Sequence, residues 1–421
     1  MTVAVTIFVT MGTAVRSANP FRTLGRHRNF RLFWFGQTIS LIGTWMQQIA
    51  TGWLALQLTN SAYMVGLVAA LGSLPILLFS LPAGVLADRS DKLRIVRIAQ
   101  SLMLVEASVL WWFAWSGHMS IQVLLALVLA GGILSSIEIP ARQSLIIDLV
   151  VKEDLLDAIA LNSGGFNLAR ILGPTVAALV IASLGLSWCF GFNALSYLAV
   201  LVGLALIRLP KAVLSADATA YPSAVAGMRE ALRYVRNDRI MWILMRIVTV
   251  FSILSVPILT LLPVVARDQL HLDVSGYGLL MTCYGVGATL GALAIASQGG
   301  KLKRGRTLTI SSLGLGLTIL AFSLSHSVIF CGVMLFALGV AVITNNALIN
   351  TLLQHRVPNE LRGRVMSIYV MVYIGMNPIG SYLGGWVASY VGAQWAIGGM
   401  AAPMVIFTIW AFRRYSELRR A

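Results

Sequence analysis

Apolar stretches near the roughly 20 residues that span a bilayer recur about twelve times along this chain, and that recurrence confines it to a helical membrane fold. They lie roughly at 30–58, 62–87, 94–116, 119–146, 157–184, 187–207, 239–266, 276–298, 307–325, 328–353, 365–390 and 394–412. Composition agrees: 58% of residues are hydrophobic, 11% are charged and the mean hydropathy is +0.84, which leaves too little polar surface to cover a soluble globule.

The cations fix an orientation. Of the 31 Lys and Arg residues, 28 fall in the two ends and in every second connection between spans, whereas the opposite loops hold only Arg267. Basic residues near span ends stay in the cytoplasm, so the expected topology is an even number of spans with both termini in the cytoplasm. The formal charge of +16 then follows from the inside rule and calls for anionic lipid headgroups as neighbours, not nucleic acid.

Cys189, Cys283 and Cys331 lie within or at the edge of spans, lack metal-ligand spacing and read as small buried hydrophobes. No metal, cofactor or disulfide framework is expected. The first fifteen residues are apolar, but Arg16 follows that run instead of leading it, which argues against a signal peptide; a start at Met11 or later reads as well as a structural segment does.

The chain repeats itself. Arg28-Asn29-Phe30-Arg31-Leu32-Phe33-Trp34 returns as Arg236-Asn237-Asp238-Arg239-Ile240-Met241-Trp242 at an offset of 208. Gly84 and Ala87 match Gly291 and Ala294, Val150 and Glu153 match Val357 and Glu360, and Gly185 and Trp188 match Gly392 and Trp395, all at 207. Six spans written twice enter the membrane in the same sense, related by an axis along its normal, with a cavity expected between the copies. The expected organisation is a cytoplasmic arm at 1–29, a six-helix bundle at 30–207, a cytoplasmic linker at 208–238, a second six-helix bundle at 239–412 and a tail at 413–421. Within the linker, which holds Pro210 and Pro222, the stretch from Tyr221 to Arg236 is expected to form a surface helix with Arg229, Arg233 and Arg236 on one face.

This layout resembles the major facilitator superfamily over essentially the whole chain. Gly84-Val85-Leu86-Ala87-Asp88-Arg89-Ser90-Asp91-Lys92-Leu93-Arg94, after span 2, is similar to its signature G-x-x-x-D-R-x-G-R-R, departing at Asp91, where Gly is usual, and at Leu93. Gly43-Thr44-Trp45-Met46, Pro140-Ala141-Arg142-Gln143, Asn167-Leu168-Ala169-Arg170-Ile171-Leu172-Gly173-Pro174 and Arg362-Gly363-Arg364-Val365-Met366-Ser367 resemble the branch of enterobactin exporters and macrolide efflux proteins, the transmembrane secretion effectors. That branch implies export driven by the proton gradient. Gly173-Pro174 is similar to the antiporter motif of span 5, with Ala177 and Ala178 where the motif ends in glycines. The resemblance also implies a cytoplasmic gate built from Gly84, Asp88, Arg89, Lys92 and Arg94, and Asp88 is placed to cap the start of span 3.

Glu106, Glu138, Arg170 and Arg246 remain inside spans, where each costs roughly 2.5–3.5 kcal/mol and needs a partner or a wet cavity. Proton coupling needs a titrating group, and all five histidines fall in loops or tails. Glu138 is the first candidate, because spans 1, 4, 7 and 10 line the cavity in the resembled architecture; the alternative is a permanent ion pair between Glu138 and Arg170. Glu106 is the second candidate. Gln37, Ser40, Thr44, Gln47 or Gln48, and Thr51 recur every three or four residues on one face of span 1, the pattern of a hydrated pathway. Asn167 in span 5, Thr344, Asn345, Asn346, Asn350 and Thr351 in span 10, and Tyr369, Tyr373 and Asn377 in span 11 extend the polar lining. Trp111, Trp112 and Trp115 read as an interfacial belt, and Pro75, Pro82, Pro174, Pro257, Pro263 and Pro378 as kinks.

The leading expectation is a secondary active transporter, monomeric, exporting amphipathic small organic molecules such as drug-like compounds or siderophores in exchange for protons by alternating access. An importer or facilitator on the same scaffold is the alternative. An intramembrane transferase fits less well: Asp154 and Asp157 lack the aspartate-rich run that holds a metal diphosphate, and no nucleotide-binding loop is present.

Overall fold

The structure, a computed structural model, describes residues 21–88, 90–208, 224–298, 303–415 and 417–420. Met11, Arg16, Arg89, Pro210 and Pro222 lie outside the described residues. Twelve helical spans match the twelve apolar stretches and are numbered in chain order: α1 Arg28–Thr59, α2 Ala62–Asp88, α3 Lys92–Trp115, α4 Ile121–Leu149, α5 Leu155–Leu184 and α6 Ser187–Leu206. Then come α7, broken into Arg239–Leu254, Val256–Thr260 and Leu262–Val264, α8 Val274–Gln298, α9 Arg304–Ser323, α10 Val328–Arg356, α11, broken into Asn359–Gly375 and Asn377–Val391, and α12 Ala393–Arg414. A short helix, Phe21–Arg26, precedes α1, and the linker contributes the helix Ala224–Asn237, on which Arg229, Arg233 and Arg236 are exposed while Ala231 and Val235 are buried. Among the described residues there is no strand.

Among the described residues, nine of these spans are long and apolar enough by themselves to cross a membrane, namely α2, α4 to α10 and α12. The other three depart for visible reasons: α1 carries the polar stripe, α3 carries Lys92, Arg94, Arg97 and Glu106, and α11 is interrupted at Met376. Local chemistry sets the helix starts. Asp91 caps α3, its carboxylate accepting from the Arg94 N–H at 3.0 Å, and Asp238 caps α7 by accepting from Ile240 and Met241 at 2.8 and 2.9 Å. The expected cap of α3 by Asp88 is therefore corrected: Asp88 ends α2, and the residue that stands where the signature usually has Gly does the capping.

The proline expectation also sharpens. Pro75, Pro82 and Pro174 sit inside continuous helices, whereas Pro257, Pro263 and Pro378 each sit second in a new helical segment after a break, since a proline has no N–H to give to the preceding turn.

The chain divides into two compact units. Among the described residues, one comprises 21–208 together with Pro263–Thr282, and the other 224–262 with those from Cys283 onward. In the first, α1 packs on α5 and α6, and α3 on α4 and α6; in the second, α7 packs on α11, and α9 on α10 and α12. The pairings of α1 with α5, α3 with α4 and α3 with α6 recur shifted by six spans as α7 with α11, α9 with α10 and α9 with α12, so the sequence repeat is a packing repeat. Between lipid-embedded helices the contacts are won by close packing more than by water exclusion. Gly173 shows it: a Cβ there would collide with the Trp45 side chain and crowd the Ile42 carbonyl, so α5 lies flat against α1 only because the residue is glycine. On the outer faces, Leu179, Ile329 and Ile406 are 66%, 82% and 68% exposed, apolar surface that only acyl chains would cover.

Candidate functional site

The first bundle buries two separate carboxylates. Glu138, 4% exposed, accepts a hydrogen bond from Arg142 Nε at 2.8 Å, one helical turn further along α4, and another from Gln100 Nε2 of α3 at 2.9 Å. The charge is thus neutralised locally, and the pairing of Glu138 with Arg170 is not formed. Arg170, 8% exposed, instead donates from Nη2 to Asn167 Oδ1 at 2.7 Å on its own helix, and its Nε has no partner. Arg142 is a partner that the sequence analysis did not assign to Glu138. Its i, i+4 spacing from Glu138 was the available signal.

Glu106, 7% exposed, has no cation within ion-pair distance among the described residues. Among the described residues its carboxylate accepts from Gln47 Nε2 of α1 alone, at 3.4 and 3.5 Å. Gln47 in turn accepts from Asn193 Nδ2 of α6 at 2.7 Å, so one amide joins α1, α3 and α6 around a lone carboxylate. This splits the polar stripe of α1. Gln37 and Ser40 are buried, Gln47 turns into the bundle, Thr44 and Gln48 are exposed, and Thr51 is half-buried. Gln37 Oε1 finds no partner in the bundle.

At the basic end, Gly84 is buried in α2, Lys92 bridges to Asp148 of α4 at 2.8 Å, Arg94 is exposed, and Arg97 Nη2 donates to the Leu204 carbonyl of α6 at 2.5 Å. His27 Nε2 lies 2.8 Å from Asp154 Oδ2. In the other unit, Arg364 of α11 pairs with Glu230 of the linker helix at 2.5 Å. At the opposite end of the first unit, Pro263–Thr282 is held on α1 and α5: Arg267 Nη1 donates to Asn60 Oδ1 at 2.7 Å, Tyr277 stacks on Trp53 with centroids 6.0 Å apart, and the Thr175 and Thr282 hydroxyls lie 3.0 Å apart. Of the tryptophans in α3, Trp112 and Trp115 are each 59% exposed, while Trp111 packs on Trp188 at 5.4 Å.

The second bundle is neutral where the first is charged. Ser252, Ser255, Asn345, Asn346, Tyr373 and Asn377, with Tyr284 of α8, line a cavity of about 150 Å³ between α7, α10 and α11, together with apolar side chains. Asn345 donates to Ser311 and Ser312 of α9 at 3.1 and 3.0 Å, and Asn346 Nδ2 donates to the Tyr373 hydroxyl at 2.6 Å. Tyr369 stacks parallel on Tyr373 at 6.1 Å and donates to the Asn346 carbonyl. Asn350 is buried away from this cavity and accepts from Gln354. Arg246 is exposed on α7, its guanidinium 5.1 Å from the Trp242 ring centroid. The serines of α7 escaped sequence reasoning because two hydroxyls in an apolar helix make no periodic pattern.

Known proteins resemble this chain in sequence and in fold. The chain is 26% identical over 371 residues to macrolide efflux protein A of Streptococcus pyogenes, covering 87% of this chain and 90% of that protein. It is 26% identical over 398 residues to the staphyloferrin A transporter of Staphylococcus aureus, covering 92% and 97%. Among solved structures, the nucleoside transporter NupG aligns with a TM-score of 0.72 at 14% identity, over 92% of this chain and 99% of that one. A bacterial homologue of the lysosomal transporter Spinster, inward-facing and unoccupied, aligns with a TM-score of 0.71 at 15% identity, over 93% and 96%. All four are transporters, and this chain is a transporter with the major facilitator fold, not an enzyme. The family model for transmembrane secretion effectors matches residues 18–419, and the chain belongs to that family.

Proposed function

We propose that the protein exports amphipathic small organic molecules, of the drug-like or siderophore kind that the relatives' names specify, in exchange for protons. The observation that carries the coupling is Glu106: a carboxylate buried in the bundle that, among the described residues, has no cation beside it and is held by the Gln47 amide alone. A charge left alone among apolar helices is costly, whereas one locked in an ion pair is already compensated. Glu138 has Arg142 and Gln100, so the proton-carrying role falls to Glu106 and the first expectation from sequence gives way to the second.

Proton exchange at Glu106 changes what Gln47 can bond, and Gln47 sits on the helix that also carries Trp53 and Asn60, the residues holding Pro263–Thr282. Breaking those contacts is the step we assign to opening at that end in an alternating-access cycle. The orientation keeps the basic loops and both termini in the cytoplasm of a bacterial cell, and the protein acts as a monomer.

The test is transport of a macrolide by proteoliposomes under an imposed pH gradient. Glu106→Gln is expected to abolish gradient-driven accumulation and to leave downhill exchange measurable. Gradient-driven accumulation at the wild-type rate in Glu106→Gln would refute the assignment.

A further inference from the structure

Two broken helices meet at the cavity of the second bundle. The interruption of α7 at Ser255 and that of α11 at Met376 both abut the lining, which takes in Ser255 and Val256 from one and Asn377 from the other. Gly380 lies against the Ile253 carbonyl so closely that a Cβ would collide with it, so the two helices are packed backbone to backbone beside their breaks. Irregular backbone at membrane depth persists where protein buries it or where it borders a cavity, and discontinuous helices mark the binding sites of many transporters.

A second observation points to a ligand. Ser252, 4% exposed, lines the cavity one turn before the α7 break, and its hydroxyl has no hydrogen-bond partner. A buried hydroxyl left unpaired is destabilising and uncommon, and here it borders a cavity with room for several waters or for part of an organic molecule. At about 150 Å³ it is smaller than the ~300–1,000 Å³ typical of pockets that enclose a whole drug-sized ligand.

The repeat then specifies the chemistry. At the 207-residue offset, Asn345 stands where the first bundle has Glu138, and Asn377 where it has Arg170. Among the described residues no charged side chain lines the cavity. We infer that the cavity between α7, α10 and α11 is a subsite for an uncharged, hydrogen-bonding portion of the substrate, a hydroxyl- or carbonyl-bearing segment such as a lactone or polyol, and that it does not receive a cationic group. The inference rests on the reading of the chain as an exporter and names what this part of it selects.

The experiment uses the full chain with Cys189, Cys283 and Cys331 replaced by alanine and Ser252→Cys as the reporter, labelled with N-ethylmaleimide. The probes are erythronolide B, a neutral hydroxylated macrolactone, and tetraphenylphosphonium, a cation without hydrogen-bonding groups. Erythronolide at saturation is expected to slow labelling about fivefold, and tetraphenylphosphonium to leave it unchanged. In the protein with its native cysteines, Ser252→Ala is expected to weaken erythronolide binding about fivefold, the worth of one hydrogen bond, while thermal stability stays level or rises because an unpaired hydroxyl has gone. A merely structural serine would lose stability and leave binding untouched, and that result overturns the proposal. Protection by both probes, by neither, or by the cation alone also overturns it. Failure of the export reading registers separately, as wild-type proteoliposomes that move neither probe under a pH gradient.

Discussion

The buried pair between Glu138 and Arg142 gives the sharpest energetic test, because its two charges, its extra donor and its burial are all defined. Arg142 Nε sits 2.8 Å from Glu138 Oε1, both residues are under a tenth exposed, and Gln100 supplies the second hydrogen bond. At an effective dielectric of about 20, two unit charges about 4 Å apart attract by about 4 kcal/mol, and removing one partner of such a buried pair typically costs about 3–5 kcal/mol. Arg142→Met, which keeps the apolar stem, leaves the carboxylate with Gln100 alone; Glu138→Gln keeps an acceptor but leaves the guanidinium charge uncompensated. Each single change is expected to lower the melting midpoint in detergent, followed by size-exclusion fluorescence, by about 10 °C, taking about 2–4 °C per kcal/mol for a bundle of this size. The double variant removes both charges and keeps an amide facing Gln100, so it is expected to recover at least half of that loss, a coupling that a double-mutant cycle reads directly. Strictly additive losses would refute the pair. The double variant is also expected to retain pH-driven transport, since Glu106 is untouched.

Two further outcomes follow from the same geometry. Asp91→Ala removes the cap of α3 and is expected to cost about 1 kcal/mol, whereas Asp91→Gly should cost only a few tenths; equal effects of the two in thermal melts would show that the cap does not hold the helix. Arg267→Gln breaks the bond to Asn60 and is expected to speed maleimide labelling of Tyr277→Cys from the side opposite the basic loops, without lowering expression; an unchanged labelling rate would remove Arg267 from the closure of that end.

How much of this was legible in the sequence depended on the range of the signal. Span positions and the six-span repeat are written in hydropathy and recurrence, which are local, and the helices follow the apolar stretches within a few residues except where α7 and α11 break. The breaks at Ser255 and Met376 were flagged only as kinks, because Pro257 and Pro378 look in sequence like Pro174, which α5 accommodates without interruption. Side-chain partners were the least legible. The long reach of arginine made Glu138 and Arg170 a plausible couple, but a partner one turn away on the same helix wins because the backbone already holds it in place. Likewise Gln47 and Gln48 are indistinguishable by composition, and only the rotation of α1 against α3 and α6 decides that Gln47 meets Glu106.

The unequal charge of the two repeats is itself a physical argument about labour within the chain. A duplicated scaffold inherits the same buried positions twice, yet Glu138 and Arg170 in the first copy are Asn345 and Asn377 in the second. Ionisable groups inside a membrane are expensive enough that they persist where they do something or are well compensated, and amides at the equivalent positions keep hydrogen-bonding capacity without that cost. Under the coupling proposed here, proton chemistry is confined to the first bundle, so it reaches the neutral cavity of the second by moving helices and not by a shared ion. The route available on this geometry is α1: Gln47 senses Glu106, and further along the same rigid helix Trp53 and Asn60 grip the segment that continues directly from the broken end of α7. A helix already interrupted at Ser255 can shift its far end, which brings Val256, Ile258 and Leu259 to the cavity, while Ser252 stays in the segment before the break with its hydroxyl unpaired.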